Sequence, residues 1–294
     1  MRSGVVRLSL QRRRKLLPWL FLGPGLLWLL AFFGLQLVNQ LNVSLQTGDP
    51  ETGYVFDWAF GTYADAVADY DEQFLRSILY AAVATVLCFA IAFPLAYFIA
   101  FKAGRWKNFM LRLIVLPFFM SYVLRTVAWQ LILSDGGWVV SRAQDLGLVA
   151  DGGRLLATTT AVIAGITYNF LPFMALPLYV SLEKIDRRLI EAATDLYASR
   201  ATAFRRVTLP LALPGIFAGS LLTFIPATGD FINAALLGTP RQFMIGNVIQ
   251  SKFLVIQDYP GAAALSFILM TFILIGVLAY ARVLGSRTLT EAAI

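Results

Sequence analysis

Residues 182–214 read LEKIDRRLIEAATDLYASRATAFRRVTLPLALP, a long, polar and basic stretch with very apolar runs on both sides. Ordering a soluble island between membrane spans costs conformational entropy, so it needs a purpose. Its pattern is helical. Leu189, Ala192, Ala193 and Leu196 recur at i, i+3, i+4, i+7 and share one face. Arg187, Glu191 and Asp195 fall on the other face, with Arg187 and Glu191 spaced to pair. Asp186 can cap the first helix, and Ser199 can cap a second over Arg200 to Val207, which Pro210 then ends. The expectation is a helix–turn–helix on the cytoplasmic membrane face, with small alanines that let another protein approach. The alternative is an amphipathic re-entry loop that rests on lipid headgroups.

The residue order favours the first reading. Glu191-Ala192-Ala193, followed at the matching distance by Val207-Thr208-Leu209-Pro210, resembles the EAA loop of ABC importer permeases. The resemblance implies that this loop couples the membrane subunit to a separate ATPase. It implies coupling roles for Glu191, Ala192, Ala193, Asp195, Tyr197, Leu209 and Pro210. The family pattern has glycine six residues after the glutamate, where this chain has Tyr197. Tyrosine lacks glycine's freedom at positive φ, a cost of roughly 1 kcal/mol if that conformation is kept.

Composition points the same way. Of 294 residues 59% are hydrophobic and 14% charged, against roughly 25% charged for an ordinary globular domain. The reading is an all-α, polytopic membrane protein. The net charge of +7 is split among the segments between spans, so it is no nucleic-acid signal. With no histidine and one cysteine, Cys88, neither an intrachain disulfide nor a zinc site of the usual Cys/His kind is available. Cys88 lies in an apolar run and reads as a small buried side chain.

Taken in order, a basic cytoplasmic N-terminus (1–16) precedes a transmembrane domain (17–283) and a cytoplasmic tail (284–294). The expected spans are Leu17 to Gln40, Phe74 to Ala100, Phe109 to Leu133, Ala157 to Val180, Leu211 to Leu237 and Ala262 to Val283. The first is too long for a signal-peptide core and reads as retained. The loop 41–73 is acidic and has no Lys or Arg, while basic residues crowd the N-terminus, 102–107, the coupling loop 182–210 and the C-terminal end, with Arg282 and Arg287. The positive-inside rule therefore places both termini and the coupling loop in the cytoplasm. Proline recurs within the spans, and Gly215 and Gly219 form a G-x-x-x-G pair that permits close helix contact.

No G-x-x-x-x-G-K-[ST] loop, H-E-x-x-H or G-x-S-x-G occurs, so no enzyme site is read. Two ionisable residues fall within spans, Arg125 and Asp230. Charges at membrane depth face protein or water and are candidates for function by default. The bland reading is that they neutralise each other or lie near a span end. Asp230 follows Pro226 and Gly229, where a helix can loosen, and Phe231, Trp129, Tyr168 and Phe224 could complete an aromatic cage for a cation.

The stretches PFFMSYVLRTVAW (117–129), ITYNFLPFMALPLYVSLEKID (166–186), LPGIFAGSLLTFIPATGDF (213–231) and FMIGNVIQSKFL (243–254) resemble spermidine/putrescine-type permeases of ABC importers. The resemblance implies a polyamine cargo and a second permease subunit. It further implies two cytosolic ATPases that bind ATP and magnesium, and an extracytoplasmic binding protein. No cofactor is expected in this chain, and the expected location is the inner membrane of a prokaryote. The branch also carries other solutes, iron(III) and organic cations among them. A reading from another class is a secondary transporter driven by an ion gradient. It explains the spans but not the EAA loop, and no repeat relates the two halves.

Overall fold

A computed structural model describes residues 21–147 and 153–291. The expected basic N-terminus, the start of the first span at Leu17 and the last three residues lie outside the described residues. Helix α1 spans Phe21–Ser44, with a wide π turn at Leu30–Gly34. The acidic segment 41–73 is not the plain loop expected. It holds a hairpin, β1 Gln46–Asp49 paired antiparallel with β2 Gly53–Phe56, in register Gln46↔Phe56. Asp49 Oδ1 accepts from the N–H groups of Glu51 and Thr52, which closes the turn and holds the Asp49 carboxyl below its usual range. Tyr54 donates to the Gln257 carbonyl (2.7 Å), pinning the hairpin to the far end of the chain.

Helix α2 then runs Gly61–Phe101, kinked at Tyr70. A short helix α3, Lys107–Val115, leads through a 3₁₀ turn to α4, Tyr122–Leu133, and α5, Trp138–Asp145. Helix α6 is Thr159–Glu183, and α7 is Arg187–Asp195. Helix α8 runs without interruption over Arg200–Thr228. Three short or long helices follow: α9 Ile232–Leu237, α10 Ile245–Ile256 and α11 Tyr259–Glu291. Among the described residues five helices are long and apolar enough to cross a membrane. A sixth span results if the bent α3–α4 pair counts as one.

Two expected spans are broken. The third turns by 97° between Phe119 and Tyr122, because Met120 and Ser121 are both extended just after the Pro117 turn. The fifth ends at Thr228 and resumes as α9. Pro210, expected to end a helix, does not. The π turn Phe204–Thr208 lies immediately before it and sets it in the first turn of the following helical stretch. There a missing N–H costs nothing, so α8 continues.

The centre of the bundle is α2, α6 and α8. Helix α2 presents Ala81, Ala84, Cys88, Ala92 and Ala96, all fully buried and three or four residues apart. Such small side chains let helices approach closely in lipid, where packing rather than water drives association. Cys88 sits in this seam as expected, its thiol directed at the Thr167 carbonyl. The Gly215/Gly219 pair serves the α6–α8 contact. A Cβ at Gly215 would lie 2.7 Å from the Pro177 carbonyl, and one at Gly219 would lie 2.8 Å from the Met174 sulfur.

Gly215→Ala should therefore separate α6 from α8 and cost about 1–3 kcal/mol, as overpacking does. Gly276→Ala, on a site with open space, should be harmless. Thermal unfolding of the detergent-solubilised protein reads both, and equal stability of the two variants would contradict this packing.

Candidate functional site

Two features stand apart from the apolar bundle. The first is the helix–turn–helix at one end. Asp186 caps α7 by accepting from the Arg188 N–H, and Ser199 caps α8 by accepting from the Thr202 N–H. Tyr197, between them, has φ +62°, the left-handed conformation for which glycine is suited. Its side chain is fully exposed. The turn that a glycine would ease is thus kept at the cost of strain.

Helix α7 buries no residue. Leu189 is 49% and Leu196 81% exposed, while Glu191, Ala192 and Asp195 are exposed and Ala193 is half-buried. Leu209 and Pro210 are half-buried where α8 leaves this end. The expected Arg187–Glu191 pair does not form. Arg187 instead donates to the Ala100 carbonyl (3.0 Å) and lies over the Phe101 ring. That carbonyl is one of those left without a helical partner at the end of α2, and a guanidinium gains more there than from an exposed ion pair. Phe204 adds edge contacts to Phe93 and Tyr97. Lys107 pairs with Glu183 and lies over Tyr179, tying α3 to the end of α6.

The second feature is a buried polar cluster where α8 breaks. Asp230 is 6% exposed. Its Oδ1 accepts from the N–H groups of Ile232 (2.9 Å) and Asn233 (3.0 Å), which caps α9. Its Oδ2 accepts from the Tyr122 hydroxyl and from Asn233 Nδ2, each at 2.5 Å. Asn169 on α6 donates to Asn233 Oδ1 (3.2 Å) and to Thr126 Oγ1 (3.1 Å). Asn247 donates to the Phe231 carbonyl (2.8 Å), which the break frees.

Asp230 and Arg125 form no ion pair. Arg125 is 6% exposed and lies over the Tyr122 ring, 5.7 Å from its centroid, with Nε and Nη1 buried and without acceptors. Tyr122 therefore stands between the two charges, its face to the cation and its hydroxyl to the carboxylate. Of the aromatic residues singled out, Trp129 and Tyr168 meet at 5.4 Å between centroids. Phe224 lines a cavity between α2, α8 and α11, and Phe231 lines another with Gly229 and Gly246. Sequence reasoning missed Tyr122, Asn233, Asn169 and Thr126. The available signal was that Tyr122, Arg125, Thr126 and Trp129 fall at i, i+3, i+4, i+7, one face of α4.

A membrane bundle with a broken helix at a buried carboxylate, and an uncovered helix–turn–helix at one end, is the build of a permease. The chain belongs to the family described as binding-protein-dependent transport system inner membrane component, which it matches over residues 92–287. It is thus a multi-pass, non-catalytic membrane subunit of an ABC transporter. It is 36% identical over 256 residues to the spermidine/putrescine transport system permease protein PotB of Haemophilus influenzae, covering 87% of this chain and 90% of that one. It is 38% identical over 283 residues to the inner membrane ABC transporter permease protein YdcU of Escherichia coli, covering 91% and 89%. A bacterial alginate ABC transporter, solved in complex with an alginate pentasaccharide-bound periplasmic protein, shares the fold. Its TM-score is 0.69 at 22% identity, over 94% of this chain and 96% of that one.

Tyr197→Gly should relieve up to about 1 kcal/mol of strain in the α7–α8 turn. Amide hydrogen exchange across residues 196–199 of the isolated protein should slow. Faster exchange would mean that the tyrosine holds the turn rather than straining it.

Proposed function

We propose that this chain is one of two permease subunits of an ATP-driven importer for a polyamine of the spermidine or putrescine kind. An extracytoplasmic binding protein delivers the cargo. Two cytosolic ATPases, which hold the ATP and magnesium, drive the cycle. The coupling loop and both termini face the cytoplasm of a prokaryote, and the hairpin end faces the binding protein.

The observation that carries the reading is the uncovered helix α7. It combines exposed Leu189, and Leu196 and Tyr197 just past its end, with the small Ala192 and Ala193 at the end of a membrane bundle. Such a surface suits a groove on another protein: the alanines permit close packing, and Glu191 meets basic groups there. The clamp of Arg187 on the end of α2, together with Phe204 against Phe93 and Tyr97, makes the loop a rigid lever on the bundle. An open groove of about 930 Å³ between α6 and α8 reaches the start of α7 and is the seat we assign to the second permease subunit.

The cargo class rests on the names of the relatives and on Asp230. Stripping water from an ammonium group is tolerable only where carboxylates, carbonyls and aromatic faces replace it. The buried carboxylate at the helix break, with Trp129 and Tyr168 on the neighbouring α4 and α6, supplies such groups.

The test is the complete complex in proteoliposomes. Spermidine uptake should require both ATP and the binding protein. Ala193→Trp should leave the permease folded but reduce ATPase copurification and uptake by about tenfold or more, the effect of about 1.4 kcal/mol lost at a packed contact. If Ala193→Trp leaves assembly and uptake intact, the coupling assignment fails. Uptake at full rate without a binding protein would point to a secondary transporter.

A further inference from the structure

Four hydrogen bonds end on the Asp230 carboxylate, and a carboxylate has about four lone-pair sites. In this state it has no place for a cargo cation. The four donors differ in origin. The N–H groups of Ile232 and Asn233 and the Asn233 amide belong to α9, the segment that continues from Asp230 itself. They move with it. The Tyr122 hydroxyl belongs to α4, beyond the 97° bend. Parting α4 from α9 removes this donor from the carboxylate and leaves the other three.

We infer that Tyr122 is a latch on the pathway. Its hydroxyl holds the position at Asp230 Oδ2 that an alkylammonium group of the cargo takes when α4 and α9 separate. The inference rests on the polyamine reading above. Donor replaces donor, so the buried carboxylate is never left short of a hydrogen bond, which would cost more than the bond itself contributes. The incoming donor is charged and therefore the stronger of the two.

Arg125 fits the same exchange. It lies over the Tyr122 ring and has two buried N–H groups without acceptors. Both residues lie on α4, so when the ring withdraws the guanidinium withdraws with it and does not stay to oppose an incoming cation. The remaining ties of α4 to this cluster are neutral. They are Thr126 Oγ1 to Asn233 Oδ1 at 3.4 Å, Asn169 Nδ2 to Thr126 Oγ1 at 3.1 Å, and Asn233 Nδ2 to the Tyr122 hydroxyl at 2.6 Å. Each is the kind of contact that a conformational cycle can break and remake.

The experiment uses the complete complex with spermidine as the probe. Two quantities are read: ATP hydrolysis without cargo, and spermidine taken up per ATP. Tyr122→Phe keeps the ring and its contact with Arg125 but removes the latch. Hydrolysis without cargo should rise by about tenfold, the factor carried by one hydrogen bond to a charged group, and uptake per ATP should fall. The second variant places 3-fluorotyrosine, a stronger donor of nearly the same size, at position 122. It should lower cargo-free hydrolysis, and it keeps the test open if Tyr122→Phe fails to assemble. Unaltered values in both variants, or a shift of the same sign in both, would overturn the latch. Absence of spermidine uptake by the unaltered complex would remove the polyamine reading, and the latch with it.

Discussion

Within lipid no water is present to satisfy a backbone group, so a span can break only where side chains take over its hydrogen bonds. The Asp230 carboxylate meets this constraint for the break between α8 and α9. It accepts from both N–H groups at the start of α9, while Asn247 serves the Phe231 carbonyl. Each group left bare would cost several kcal/mol. Burying a carboxylate is itself costly, and the four donors gathered on it are what make that tolerable. The break and the carboxylate are therefore matched: an Asp230 oxygen caps the freed N–H groups, and the donors at the break satisfy the buried charge. That gives a physical reason for an acidic residue at membrane depth before any cargo is considered.

The same break connects the two ends of the molecule. Helix α8 begins in the helix–turn–helix at Arg200 and ends at Thr228, two residues before Asp230. At about 1.5 Å per residue it is a rod roughly 43 Å long. Pro210 does not interrupt it, because the π turn ahead leaves proline where no N–H is needed. Gly215 and Gly219 lay the rod against α6, and Arg187 and Phe204 fix its base to α2. One continuous helix therefore links the turn after α7 to the residues beside the carboxylate. The element ends at the unwound stretch 229–231, and the residues after the bend before α4 meet it through the Tyr122 hydroxyl.

Much of this was legible in the sequence. The spans follow from the length of the apolar runs, and the helix–turn–helix follows from the 3.6-residue period with Asp186 and Ser199 as caps. Tyr197 was visible as a misfit at a position suited to glycine, and its φ of +62° shows the backbone kept that conformation. Pro226 and Gly229 marked where the fifth span loosens. What periodicity cannot give is which helix lies opposite which. It placed Arg125 and Asp230 in spans but not the Tyr122 ring between them. It spaced Arg187 for Glu191, whereas the bare carbonyl at the end of α2 offered a better acceptor. The 97° bend depends on two extended residues, Met120 and Ser121, that no hydrophobic pattern records. The hairpin in the acidic segment is set by local turn chemistry at Asp49 and by Tyr54 reaching Gln257, a partner more than two hundred residues away.

The most direct measurement is spermidine uptake by complexes carrying Asp230→Asn, normalised to the amount of assembled complex. Asparagine keeps the shape and can still accept from the N–H groups of α9, so the break survives while the charge is lost. The account predicts unchanged assembly and at least about a tenfold fall in uptake, the scale of one lost charged contact. Uptake at the unaltered rate would show that the carboxylate only holds the helix break and that the cation path lies elsewhere.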